Sequence, residues 1–152
     1  MNNIALIREI AIEDAEAAAQ LSDELGYPAA VDVMRNRIEY VSSSRDHVVF
    51  VACISNTVIG WIDIGVIHHL AVGAYGEIGG FIVSTEYRSL GIGRKLIARA
   101  EQWVTDKGLT RMVVRSRIAR EAAHRFYLRE GYSRTKTSAV FSKELESSNC
   151  FK

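Results

Sequence analysis

Cysteine is scarce: two in 152 residues. Cys53 sits inside the apolar run VVFVACI and Cys150 close to the C-terminus. Two such positions make no disulfide framework, and a reducing, cytoplasmic setting is expected. Proline is scarcer still, with Pro28 alone, so no proline-rich linker separates domains. No run of residues approaches the roughly 18 apolar positions that a membrane helix needs, and no basic segment followed by an apolar core opens the chain as a secretory signal would. A surplus of one charge is missing as well. Nineteen Lys and Arg face 18 Asp and Glu, a formal net charge of +1. That offers no strong field to nucleic acid or to an anionic membrane, so neither is expected as a partner.

What is present fits one globular domain. Apolar residues make up 48% and charged residues 24%, ordinary for a chain with one sizeable core. The domain is expected over residues 1–145, with a frayed tail over 146–152. Residues 4–10 read as a strand, 13–25 as a helix with acidic residues near its start, and 29–41 as a second helix. The period then changes. Residues 47–54 and 58–67 are rich in β-branched and aromatic side chains on either side of Ser55-Asn56-Thr57, a hairpin pattern. A loop is expected around Gly73 to Gly76, then a buried strand over 77–83. A helix over 91–105, a strand over 111–116 and a helix over 119–129 follow. Two closing strands are expected over 132–136 and 139–145. The order predicts an α+β fold, with a mixed, mostly antiparallel sheet of about seven strands and four helices.

The most informative stretch is Arg88-Ser89-Leu90-Gly91-Ile92-Gly93-Arg94-Lys95. It joins a strand to a helix. Gly91 and Gly93 let the backbone approach an anion closely. The helix start behind them supplies unpaired amides and a positive dipole end. Arg88, Arg94 and Lys95 add charge, so the segment suits a pyrophosphate. A dinucleotide site would require a third glycine where Leu96 stands, and that reading fails.

Here the sequence resembles the GNAT N-acetyltransferases. VSTEYRSLGIGRKLI is similar to their acetyl-CoA loop, R-x-x-G-x-G, and REAAHRFYLREGY to their second signature, N-x-x-A-x-x-F-Y-x-x-x-G-F. LIREIAIEDAEAAAQL is similar to the family's first strand and helix, so the resemblance spans essentially the whole chain. The tract AHRFYLREGY, with GEI upstream and His68-His69 before it, is particularly like the aminoalkylphosphonate N-acetyltransferases. Two departures stand out. Ser84-Thr85-Glu86 replaces a frequent proline, and Arg120 stands where the family carries an asparagine that helps hold the pantetheine arm.

The resemblance implies transfer of an acetyl group from acetyl-CoA to a primary amine and a homodimer formed through the C-terminal strands; no metal ligand is assigned, and whether a divalent metal assists stays open. The coenzyme would meet Ile82, Val83, Arg88, Ser89, Gly91, Ile92, Gly93, Arg94, Lys95 and Arg120. An alkylammonium must lose a proton before it attacks a thioester, and Glu77 is the candidate base. Glu77 could equally orient a water or pair with a cation. The oxyanion of the tetrahedral intermediate needs a donor, implied to be the backbone N–H of Ile82 or Val83. The leaving thiolate needs a proton, and Tyr127 fills the family position for that acid. Tyr27 and His69 are candidates to meet the acceptor. His68 and His69 are adjacent on a strand, hence on opposite faces, and make a poor chelating pair. His124 reads as structural, Trp61 and Trp103 as core. The arginines from Arg111 to Arg129 read as a solvated basic band that could partner coenzyme phosphates. The acceptor is expected to be a small molecule. A protein lysine or N-terminal acceptor, or a non-catalytic acetyl-CoA-binding module, remains open.

Overall fold

A computed structural model describes residues 4–147. Cys150 and most of the expected tail lie outside the described residues. The chain clusters into two compact units divided after Arg115.

The first unit is built on a five-stranded sheet in the order β1-β2-β3-β4-β5: β1 (Leu6–Glu9), β2 (His47–Ile54), β3 (Thr57–His69), β4 (Gly73–Val83) and β5 (Met112–Val114). Neighbours are antiparallel except β4 and β5, which run parallel over Gly76–Ile78 and Met112–Val114. The β-branched run of β2 is buried on both faces, which suits a strand covered on each side. Ser55 and Asn56, both with positive φ (49° and 67°), close the β2–β3 turn, a conformation that favours asparagine and glycine. Gly73 to Gly76, expected as a loop, begin β4 instead, and the turn is confined to residues 70–72.

Helices cover both faces. The indole Nε1 of Trp61 donates to Ala18 O at 3.3 Å, in α1 (Ala15–Leu25). At the neighbouring position, Gly60, the closest side chain is Leu96, in α3 (Ile92–Asp106). Consecutive strand residues point to opposite faces, so α1 and α3 lie on opposite sides of the sheet. α2 (Val31–Ser42) packs on α1 and β2. The stripe Ile92, Leu96, Ile97, Ala100 and Val104 recurs at helical spacing and is buried. α3 packs on β2 and β3, where Phe50, Val51, Ile59, Ile62 and Ile64 are at most 2% exposed. Each large side chain in this layer contributes about 1.5–3 kcal/mol of burial.

The second unit contains α4 (Glu121–Arg129), closed by Gly131 at φ 93°, where the amide of Tyr132 returns to Tyr127 O at 3.0 Å. The two closing strands are corrected here. Residues 132–147 run as irregular chain, so the sheet has five strands and not about seven. A strand exists by pairing, not by composition. Residues 132–136 and 139–145 enter no ladder, and Val140 and Phe141 are 87% and 92% exposed. Among the described residues, no helix is long and apolar enough to cross a membrane.

Candidate active site

The loop after β4 is shaped by its backbone. Thr85–Tyr87 form a 3-10 turn. Ser89 and Gly91 then both adopt positive φ, 67° and 79°. Gly91 caps α3 with no side-chain hydrogen bond at that end, so the amides of the first turn, from Ile92 through Arg94, face the loop. The Ile92 side chain is buried and anchors the helix start in the core; what it can offer an anion is its amide. Arg94 and Lys95 are exposed. Arg88 turns back, donating from Nε to Val83 O at 3.0 Å. The loop is tied to α1 through Glu24, which accepts from the Thr85 hydroxyl at 2.6 Å and the Thr85 amide at 2.8 Å. Those two hydrogen bonds, with Arg88 adding its charge, hold the Glu24 carboxyl below its ordinary range.

β4 outruns its partner. β5 ends at Val114, opposite Ile78, while β4 continues to Val83. Its far edge is therefore unpaired by β5 from Gly79 onward. A bulge sits there, because the register on β3 jumps from Asp63↔Gly80 to Ile64↔Ile78. The extra residue reverses which amides face which neighbour. Before it, the amide of Gly76 bonds Arg111 O (2.9 Å) on the β5 side; after it, the amide of Ser84 bonds Ile59 O (2.8 Å) on the β3 side. Alternation then directs the Ile82 amide toward β3 and the Val83 amide toward the open edge. The Arg88 bond to Val83 O fits that orientation.

Glu77 lies just before the bulge, on the face that carries Trp61, since Trp61, Asp63 and Gly65 alternate along β3 and Gly65 pairs with Glu77. Arg115 Nε donates to Glu77 Oε1 at 3.1 Å. Tyr75, two residues before Glu77 on the same face, is buried beneath the Arg111 guanidinium at 4.6 Å and stacks on His69 at 5.7 Å. On the same face His47 Nε2 meets Asp63 Oδ1. That hydrogen bond raises the His47 pKa above its ordinary value, against the opposing effect of burial. Tyr27 follows the Gly26 end of α1 with its ring exposed.

Arg120 and Tyr127 belong to the second unit. The Tyr127 ring packs edge-on against Phe126 (5.6 Å) and Tyr132 (6.0 Å). Burial pushes its phenol above the ordinary value, with the Arg120 charge opposing, so it stays protonated at neutral pH. His124 Nε2 bonds Arg117 O at 2.8 Å. Among the described residues, no three His, Cys, Asp or Glu converge as a metal site.

The first unit carries Glu77, Ile82 and Val83 in order along β4 and the loop from Arg88 to Lys95 beyond it, with His69 at the opposite end of that strand. It adds Arg115, Tyr75, His47 and Asp63, which sequence reasoning did not single out as site residues. Arg115 had merged into a basic band, and only the parallel register Glu77↔Val113 brings it beside a carboxylate 38 positions away in sequence.

A family model described as acetyltransferase (GNAT) family matches residues 9–132. The chain is 27% identical over 147 residues to an aminoglycoside N(6')-acetyltransferase type 1 from Stenotrophomonas maltophilia, covering 93% of this chain and 95% of that protein. It is 31% identical over 121 residues to an aminoalkylphosphonate N-acetyltransferase from Salmonella typhimurium (strain LT2), covering 76% and 73%. Among solved structures, the fold is similar to aminoglycoside N-acetyltransferase AAC(6')-Iy in complex with CoA, with a TM-score of 0.86 at 19% identity, covering 95% of this chain and 98% of that one.

Proposed function

The chain belongs to the acetyltransferase (GNAT) family and is an acetyl-CoA-dependent N-acetyltransferase, and on that premise we propose that its acceptor is the primary amine of a small molecule. The acceptors named for its two relatives, aminoglycosides and aminoalkylphosphonates, support a small-molecule amine. The observation that carries the reading is the open far edge of β4 running into the start of α3. An extended pantetheine arm can add to that edge as a further strand would, with its pyrophosphate against the amides of Ile92 to Arg94 and the charges of Arg94 and Lys95. Arg88, Ser89, Gly91 and Gly93 shape that cradle, and Arg120 is assigned to the coenzyme from the family resemblance alone.

The chemistry assigns one role to each group. Glu77 takes a proton from the acceptor ammonium, directly or through water. The freed amine attacks the thioester carbonyl. The Val83 amide, aimed at the open edge, donates to the developing oxyanion; the Ile82 amide lies in the ladder toward β3. As the C–S bond breaks, Tyr127 protonates the departing thiolate, and the surplus proton of the newly acylated nitrogen restores the phenol. Arg115 orients the Glu77 carboxylate. His69 and Tyr27 are assigned to the acceptor side.

Thiol release from acetyl-CoA against aminoglycosides, aminoalkylphosphonates, polyamines, amino acids and a lysine peptide tests this. Glu77→Gln and Tyr127→Phe should each lower kcat on the best small amine by about 10²-fold or more, with acetyl-CoA affinity kept. Turnover confined to the peptide would remove the small-molecule acceptor. Full activity in both variants would remove their roles.

A further inference from the structure

Six glycines lie in the strands of the sheet, and five have a structural cause. A Cβ on Gly60 would stand 2.9 Å from Ile82 O, one on Gly76 2.5 Å from Val104, and one on Gly80 2.8 Å from the Trp61 ring. On Gly79 it would stand 3.2 Å from Asp63 Oδ2, and Gly73 has a φ of 77°. Gly65 has no such cause. Its φ lies outside the left-handed region, and the nearest atom to an added Cβ is the Asp46 carbonyl oxygen at 3.7 Å, an ordinary contact. A glycine inside a strand forfeits backbone entropy and side-chain packing. One that nothing in the fold requires marks a place where space itself is used.

That space borders the proposed base. Gly65 pairs directly with Glu77 on one side and His47 on the other, so their Cβ atoms stand about 4.5–5.5 Å from its Cα position. Asp63 is the next residue along β3 on the same face, across the bulge from Glu77. The bare Gly65 therefore floors a slot between His47 and Glu77, with Asp63 at one end. The Asp63 carboxylate is about a third exposed, at 32%. His47 holds Oδ1, while Oδ2 lies over Gly79, which carries no side chain to cover it.

We propose that Gly65 is a specificity-determining position: its missing side chain opens the slot that seats the acceptor beside Glu77, and Asp63 selects acceptors carrying a second ammonium group. The inference rests on the reading of Glu77 as base in acetyl transfer. A carboxylate can only accept hydrogen bonds, so the group that meets Asp63 Oδ2 is a donor. An ammonium there gains a charge-assisted hydrogen bond on Oδ2, while His47 shares the carboxylate through Oδ1. Because nothing in the fold needs Gly65 to be glycine, it can be filled without disturbing the sheet.

The test compares butylamine, 1,4-diaminobutane and 2-aminoethylphosphonate as acceptors for the wild type, Gly65→Ala, Gly65→Val and Asp63→Asn. Acetyl-CoA affinity by calorimetry and the melting temperature are recorded for each. The wild type should favour the diamine over butylamine in kcat/KM by about fivefold or more, the worth of one partly solvated charge pair. Asp63→Asn should erase that preference. Gly65→Ala and then Gly65→Val should raise the diamine KM stepwise, with melting temperature and acetyl-CoA affinity kept; should the valine variant fail to fold, the alanine variant carries the comparison. A wild-type diamine KM in the folded glycine variants overturns the slot. No diamine preference, or better turnover of the phosphonate, overturns the second ammonium. Wild-type protein that binds acetyl-CoA yet acetylates no amine removes the enzymatic reading, and this inference with it.

Discussion

Asp14 shows how a single buried carboxylate can tie the end of β1 to the turn that follows it. It is 7% exposed, and Arg8 grips both its oxygens, from Nη1 at 2.8 Å and Nη2 at 2.9 Å. The Ala11 amide adds a third bond at 2.7 Å. Burial alone would push this carboxyl up, but the Arg8 and Ala11 hydrogen bonds outweigh it and hold the pKa below the ordinary 3.8. A carboxylate whose folded pKa is depressed stabilises the fold above its unfolded pKa and loses that contribution as pH falls through the folded value. Asp14→Ala should therefore cost about 1–3 kcal/mol in urea melts at neutral pH, and the cost should shrink as pH drops below about 3.8. A cost independent of pH would mean that cavity and packing, not charge, set it. The sequence marked Asp14 only as an acidic residue near a helix start. Its bond to Arg8 needs the β1 strand and the 3-10 turn Ile12–Asp14 to be in place first, and no period reports that.

At the scale of elements, legibility followed pairing. β2 and α3 were readable within a residue or so, because an uninterrupted β-branched run and a stripe at helical spacing each state their own geometry. β4 was read too short, because glycines are punctuation in a sequence, whereas Gly76 is there to admit Val104 of α3. The two closing segments looked like strands by composition and found no partner. The backbone of the loop from Arg88 to Lys95 was the most legible part, since glycines and a helix start set it locally. Gly91 has φ 79° and open space where a Cβ would stand, so a substitution there is resisted by conformation alone. Gly91→Ala should cost about 1–2 kcal/mol and raise the KM for acetyl-CoA more than the KM for the amine. Gly91→Asn should recover part of both, because asparagine tolerates the left-handed region. Equal loss in the two variants would point to steric contact with the coenzyme in place of backbone strain.

For the molecule as a whole, the near balance of 19 basic and 18 acidic residues means that anion binding must come from local arrangement and not from a global field. The loop ahead of α3 is the proposed place for it, with amides, a helix terminus and the exposed Arg94 and Lys95. This has a thermodynamic consequence for the entire chain. A ligand that binds only the folded state stabilises it by about 2.7 kcal/mol when present at a hundred times its Kd. In a chain of this length, each kcal/mol raises Tm by about 2–4 °C, so coenzyme A at that excess should raise Tm by about 5–11 °C. The double variant Arg94→Gln, Lys95→Gln should melt within about 2–4 °C of the wild type without ligand, since exposed charges contribute at most about 1 kcal/mol, yet show a smaller shift at the same coenzyme concentration. The wild-type shift should also fall with added salt, and the variant's should fall less, because the charges that salt screens have been removed. A full shift in the double variant would assign the phosphate contact to the backbone amides of the first α3 turn alone. No shift in the wild type would remove coenzyme binding from this loop.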